Sequence, residues 1–244
     1  MRLAMWSGPR NLSTALMYSF GARSDCAVID EPFYAAWLAA SGAAHPMRDE
    51  ILRSQPTDPR EVVRRITGPI PGGKRIWYQK HMVHHLLPGF PLAWVERMRH
   101  VFLIRHPARV LASYLARHER PGSVEELGFG VQRRLLERIH ALTGRRPLVV
   151  DATDIRAAPG PMLERLCGAL GIPFEPAMLH WPAGGRAEDG VWAAHWYGAV
   201  HRSTGFAGPE GPLPEVPEAW RAALAPAIED WRALHAERLR APGA

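Results

Sequence analysis

The stretch Leu3-Ala-Met-Trp-Ser-Gly-Pro-Arg-Asn-Leu-Ser-Thr14 decides how the rest of the chain is read. Residues 3–6 form a short apolar run, the run breaks at Ser7-Gly8-Pro9, and residues 13–20 continue as a helix. Strand, loop and helix in that order make an anion cradle, because backbone N–H groups of the loop and the positive end of the helix dipole converge. A nucleoside triphosphate loop ends in Gly-Lys-Ser/Thr, but Leu12-Ser13-Thr14 stands in that place. Arg10 supplies the charge instead, which suits an anion that needs no magnesium ligand set. Ser7, Arg10, Asn11, Leu12, Ser13 and Thr14 are the expected anion-binding residues of this loop.

The same alternation continues outward from the loop. Further strands are expected at residues 27–30, 76–79, 101–104 and 147–150, the last ending at Asp151. Helices are expected at residues 61–66 behind the Asp58-Pro59 start, 90–98 and 108–116. Ser123 with Glu126 reads as a capping box opening a long helix to about residue 142, and Gly171 stops a helix over residues 162–170. Strands separated by helices predict an α/β fold, a three-layer sandwich around a central parallel sheet with a P-loop-like anion-binding loop. Such sheets take ligands at the carboxyl ends of their strands, so Ser7, Asp30-Glu31, Lys80-His81 and Arg105-His106 should share one edge. Residues 1–244 read as one domain, with a loop-rich cap at about 175–215 and a C-terminal helix at about 217–240.

Composition sets bounds on this reading. The 244 residues carry a net charge of +6, and 28 of the 30 basic residues are Arg, only Lys74 and Lys80 being Lys. Between Arg97 and Arg146 eleven Arg face four Glu, so the whole excess sits in one segment. Codon bias explains much of the Arg usage, and Cys26 and Cys167 form neither a disulfide framework nor a zinc pattern. No signal peptide and no apolar run of about 18 residues is evident, which points to a cytoplasmic protein that does not enter a membrane.

The segment Val101-Phe-Leu-Ile-Arg-His-Pro-Ala-Arg-Val-Leu-Ala-Ser-Tyr114 places Arg105 at a strand end and Ser113 on the following helix. Arg, Pro two residues later and Ser eight residues later resemble the 3′-phosphate-binding segment of sulfotransferases that use 3′-phosphoadenosine 5′-phosphosulfate. Pro9-Arg-Asn-Leu-Ser-Thr-Ala15 is similar to that family's 5′-phosphosulfate loop, with Arg10 where many members carry Lys. Residues 149–154 and 161–171 resemble its late strand and helix ending in Leu-Gly, so the resemblance covers roughly residues 2–175. Arg202-Ser-Thr-Gly205 loosely resembles the late basic segment that closes over the 3′-phosphate. The resemblance implies this phosphosulfate as co-substrate, no metal, and a small-molecule or carbohydrate acceptor bearing a hydroxyl or amine.

Lys80, in Trp77-Tyr-Gln-Lys-His-Met-Val-His-His85, resembles the lysine that touches the donor's sulfuryl group. Cytosolic members place a His two residues beyond it, whereas here His81 is one beyond, Met82 two beyond, and His84 and His85 follow. Glu31, in Asp30-Glu-Pro-Phe-Tyr34, resembles the Glu-Pro segment of bacterial and carbohydrate sulfotransferases. Glu31 is the first choice for the general base, given a raised pKa, with His81 or His84 second. Asp151 and Asp154 read as helix caps. Two other classes compete: a P-loop nucleotide-dependent kinase, disfavoured by the missing loop lysine, and a nucleic-acid-binding protein, disfavoured because the arginines are scattered with few interleaved aromatics. Oligomeric state leaves no signal in the sequence.

Overall fold

A computed structural model describes residues 1–116 and 123–241. The elements are β1 (Arg2–Ser7), α1 (Ser13–Gly21), β2 (Cys26–Asp30), α2 (Tyr34–Ser41), α3 (Arg48–Ser54), α4 (Pro59–Thr67), β3 (Ile76–Met82), β4 (Arg99–Ile104) and α5 (Pro107–Leu115). There follow α6 (Phe129–Thr143), β5 (Leu148–Asp151), α7 (Ala152–Ala157), α8 (Pro159–Leu170), α9 (Ala193–Trp196), α10 (Gly198–His201) and α11 (Glu218–Ala236). The five strands form one sheet in the order β2-β3-β1-β4-β5, parallel throughout. The expected α/β architecture is therefore the one observed.

The central strand explains itself from its composition. A strand covered on both faces has no use for polar alternation, and residues 3–6 are all apolar. Leu3 and Met5 join Tyr78, Leu103 and Val150 in packing against α1 and α8. Ala4 and Trp6 point the other way with Phe102 and Val149, onto α4, α6 and α11. From β1 the sheet grows toward β3 on one side and β4 on the other, so the loops leaving their carboxyl ends diverge and open a crevice.

Local signals hold in some places and fail in others. The Asp58 side chain accepts from the Arg60 N–H and Pro59 is the first residue of α4, as expected. Gly171, at φ 73°, ends α8, and Asp151 Oδ1 accepts from the Thr153 N–H at 2.7 Å, capping α7. The helix expected at residues 90–98 is only a 3-10 turn, Ala93–Arg97, because Pro91 disfavours helical geometry in the residue before it. Ser123 and Glu126 do not open the long helix: Ser123 precedes a 3-10 turn, Glu125–Leu127, and α6 begins after Gly128, whose φ of 81° breaks the path. Strand β3 runs three residues beyond Gln79, to Met82.

Residues 175–215 hold a 3-10 turn (Pro176–Leu179), α9, α10 and an isolated bridge between His180 and Gly205. Trp181 and Trp192 are buried here, the first in the core beside α1 and the second with Tyr34 and Tyr197. Helix α11 packs onto α5 and α6 through Leu224, Ala227 and Leu234.

Candidate functional site

A cavity of about 780 Å³ opens at the carboxyl edge of the sheet. Residues 9–15 form one wall, Glu31, Lys80 and Met82 its floor, and Tyr34, Trp37, His45, His84 and His85 a second wall. Residues Trp196, Tyr197, Ala199, Val200, Ser203, Gly205 and Ala207, from the irregular late segment, close it.

The loop after β1 is strained in the way binding loops are. Arg10 and Leu12 have φ of 60° and 72°, left-handed values that side chains disfavour. Leu12 sits at the N-cap of α1 without a side-chain cap, so the first-turn N–H groups have no capping side chain between them and the cavity. Gly8 brings the loop against Leu127, where a Cβ would stand 2.5 Å from the carbonyl oxygen. The Arg10 guanidinium lies 5.2 Å from the Tyr114 ring centroid and 5.3 Å from that of Trp196, stacked rather than extended. Asn11 is buried and donates to the Leu103 carbonyl at 3.3 Å, while its Oδ1 has no partner among the described residues. Ser7 is not itself in the lining; its hydroxyl lies behind the floor, 3.7 Å from the sulfur of Met82.

On the floor four polar side chains share one buried cluster. Lys80, its side chain 1% exposed, donates to Asp30 Oδ1 at 2.9 Å, to Tyr197 Oη at 2.7 Å and to Glu31 Oε1. Tyr197 in turn donates to Asp30 Oδ2 at 2.6 Å and accepts from Trp192 Nε1 at 3.1 Å. All three ammonium protons are thereby used. Burial pulls the Lys80 pKa down, but Asp30 and Glu31 outweigh it and hold the ammonium well above its ordinary range. Burial raises the pKa of Glu31 despite the opposing charge of Lys80. Glu31 itself sits at φ 39°, a third strained residue in the same cavity.

The three histidines separate sharply. His81 is not in the cavity: adjacent residues of a strand point to opposite faces, so with Lys80 facing the cavity His81 stacks on Trp6 at 4.6 Å, near Trp94. That geometry places His81 outside the cavity lining, and burial pushes its pKa down to about 3. His84 does line the cavity, with burial the main cause of a pKa pushed down to about 4. His85, which the sequence reading did not propose for a role, lies beside Glu31. Its ring is stacked between Tyr34 and Trp37, at 4.3 and 4.9 Å, and Nδ1 stands 3.7 Å from Glu31 Oε2.

Arg105 lies at the shared edge but outside the cavity lining, donating to the Arg10 carbonyl at 2.8 Å and to Glu210. Ser113 is half-buried on α5 and also off the lining. Arg202 is exposed beyond α10, because the late segment turns its neighbour Ser203 inward instead. Tyr197 and Glu210 were not foreseen, since Tyr197 meets Lys80 across 117 residues of chain and Glu210 meets Arg105 across 105.

A strand–loop–helix turn at the switch of a parallel sheet, with a cavity beside a buried lysine and carboxylate, defines the class as an open α/β sheet protein. The chain belongs to the sulfotransferase domain family, whose profile matches residues 1–237. Over 205 residues it is 40% identical to the branched-chain-amino-acid aminotransferase-like protein 2 of Arabidopsis thaliana, covering 84% of this chain and 36% of that protein. The chain thus spans about a third of the length of the curated relatives it matches. Its fold is shared with the sulfotransferase domain of the Synechococcus PCC 7002 olefin synthase, at TM-score 0.58, 17% identity and coverage of 95% and 94% of the two chains. A sulfotransferase from Alicyclobacillus acidocaldarius superposes at TM-score 0.57 with 13% identity, covering 97% and 96%. Among the described residues no helix is long and apolar enough to cross a membrane.

Proposed function

We propose that this chain moves a sulfuryl group from 3′-phosphoadenosine 5′-phosphosulfate to a hydroxyl or amine of a small-molecule or carbohydrate acceptor. The observation that carries the proposal is that residues 9–15 and the Lys80–Glu31 pair line one cavity. The residues fit the donor. Arg10 and the uncapped start of α1 suit its 5′ end, and Arg105 beside the Arg10 carbonyl suits its 3′-phosphate. Bound there, the donor supplies an activated sulfuryl group.

Glu31 then takes the acceptor's proton. Its raised pKa makes it a better base near neutrality than an ordinary carboxylate. Lys80 holds Glu31 in place, and as Glu31 gains a proton its grip on the ammonium weakens. One N–H of Lys80 is then released toward the charge developing on the leaving oxygen. Tyr34, Trp37 and Trp196 supply flat apolar surface for the acceptor next to Glu31.

The test combines labelled phosphosulfate and an acceptor panel with separate titration of adenosine 3′,5′-bisphosphate. Glu31→Gln is expected to lose turnover by roughly 10²–10⁴-fold while binding the bisphosphate as the native protein does. Absence of nucleotide binding by the native protein would sink the proposal; unchanged turnover in the variant would remove Glu31 from the role of base.

A further inference from the structure

We infer that Arg105, Arg109 and Arg156, with Thr153, form one site for a phosphomonoester dianion, and that Glu210 of the same chain occupies it until a nucleotide phosphate takes its place. The inference rests on the nucleotide reading above, which uses Arg105, and extends it to Arg109, Thr153, Arg156 and Glu210.

The four donors come from three places in the fold. Arg105 follows β4, Arg109 lies on α5, and Thr153 and Arg156 lie on α7. All reach the carboxylate of Glu210, whose side chain is only 2% exposed. Oε1 accepts from Arg105 Nε at 2.9 Å, from Arg105 Nη2, and from Arg156 Nη1 at 3.0 Å. Oε2 accepts from Thr153 Oγ1 at 2.8 Å and lies 3.0 Å from Arg109 Nε.

Charge and shape both favour a larger anion than a carboxylate. Three guanidinium groups face one negative charge, and the two carboxylates that neighbour Thr153 in sequence are engaged elsewhere. Asp154 pairs with Arg238 at 2.7 Å, and Asp151 caps α7 and accepts from Trp231. A phosphomonoester dianion brings a second charge and a third terminal oxygen to the same forked donors. Arg105 Nη1, by donating to the Arg10 carbonyl, ties this site to the loop that walls the cavity.

The occupant is built to leave. Glu210 sits in residues 206–217, which contain neither helix nor strand and carry Pro209, Pro212, Pro214 and Pro217. The same arginines hold the backbone of this strap: Arg156 Nε donates to the Gly208 carbonyl at 2.9 Å and Arg109 Nη2 to that of Gly211 at 2.6 Å. Ala207, at its start, borders the cavity. Exchanging carboxylate for phosphate therefore loosens the strap where it meets the donor cavity, a local opening that leaves the sheet untouched.

Calorimetric titration of adenosine 3′,5′-bisphosphate and adenosine 5′-monophosphate into the native protein, Glu210→Gln and Arg156→Ala tests this. Glu210→Gln is expected to bind the bisphosphate roughly tenfold tighter than the native protein, with no gain for the monophosphate. Arg156→Ala is expected to bind the bisphosphate more weakly. An unchanged or weaker bisphosphate affinity in Glu210→Gln overturns the inference while native binding keeps the nucleotide reading standing; no binding by either protein overturns both. Should Glu210→Gln fail to fold, limited proteolysis of the native protein decides. Added bisphosphate is expected to speed cleavage within residues 206–217, and protection or no change overturns the inference.

Discussion

Lys80 and Glu210 are both charged side chains with almost no access to solvent, at 1% and 2% exposure, yet they are held in opposite ways. Lys80 is one cation between two carboxylates. It is fixed because Asp30 pairs with it in register across β2 and β3, and Glu31 is the next residue along. Glu210 is one carboxylate among three cations, delivered by a segment that belongs to no sheet or helix. The first cluster is part of the frame, and removing its centre leaves buried charge with nothing to balance it. The second has a replaceable centre, because its donors stand on α5, α7 and the end of β4 whether or not Glu210 is present.

The most direct way to break this contrast is to remove a cation from each cluster. Lys80→Met strands Asp30 and Glu31 in the interior, and stability is expected to fall by about 3–5 kcal/mol. Arg105→Met leaves Glu210 two other guanidinium groups and Thr153, and the expected loss is smaller, about 1.5–3 kcal/mol. Urea denaturation of the two variants measures both values. Equal losses would mean that the strap is as much a part of the frame as the strand register.

Acid separates the two regions a second time. Burial pushes the pKa of His81 down to about 3 and that of His100 to about 4, and both lie on the face of the sheet opposite Lys80. With folded values depressed below the unfolded value near 6.5, the folded state resists protonation that the unfolded chain accepts. Stability is thus fully present above about pH 6.5 and declines as pH falls toward the folded values. Between pH 6.5 and 5.5 each histidine is expected to cost about 1 kcal/mol. Burial raises the Glu210 pKa, but the Thr153 hydrogen bond and the Arg105 charge prevail and lower it, so its carboxylate stays charged throughout this step. His81→Phe should flatten the measured slope of stability against pH; an unaltered slope would place the acid sensitivity elsewhere.

The frame was legible in the sequence because it is local. Four consecutive apolar residues, a loop and a helix specify β1 and α1, and Asp30, Lys80 and Arg105 follow at or near the carboxyl ends of β2, β3 and β4 on one edge. What was misread turns on one rule applied too early: ending β3 at Gln79 hid that Lys80 and His81 must face opposite ways, since the strand continues to Met82. The expected pairing of Arg105 with Ser113 missed Arg109, one helical turn nearer, which reaches the same carboxylate. Glu210 and Tyr197 left no periodic trace, because a loop contact is fixed by the fold rather than by neighbours in sequence. The one available sign was an isolated acidic residue inside Pro209-Glu-Gly-Pro212, where a charge has no helix to solvate.

The smallest effect is expected where the arginine excess is most conspicuous. Arg146 bridges Glu137 at 2.7 Å and Glu237 at 2.5 Å, linking α6 to the residue just past α11. These hydrogen bonds, Glu237 first, raise its pKa, but Arg146 is 36% exposed and its partners more so. Water and salt screen such pairs, and Arg146→Ala is expected to cost less than about 1 kcal/mol, with the difference shrinking as salt is added. Arg133 with Asp230 is a pair of the same kind on the same two helices. A loss as large as that of Arg105→Met would show that exposed arginines also hold the frame, and the excess between Arg97 and Arg146 would then need a structural explanation beyond Arg105 and Arg109, the two arginines of that segment that hold Glu210.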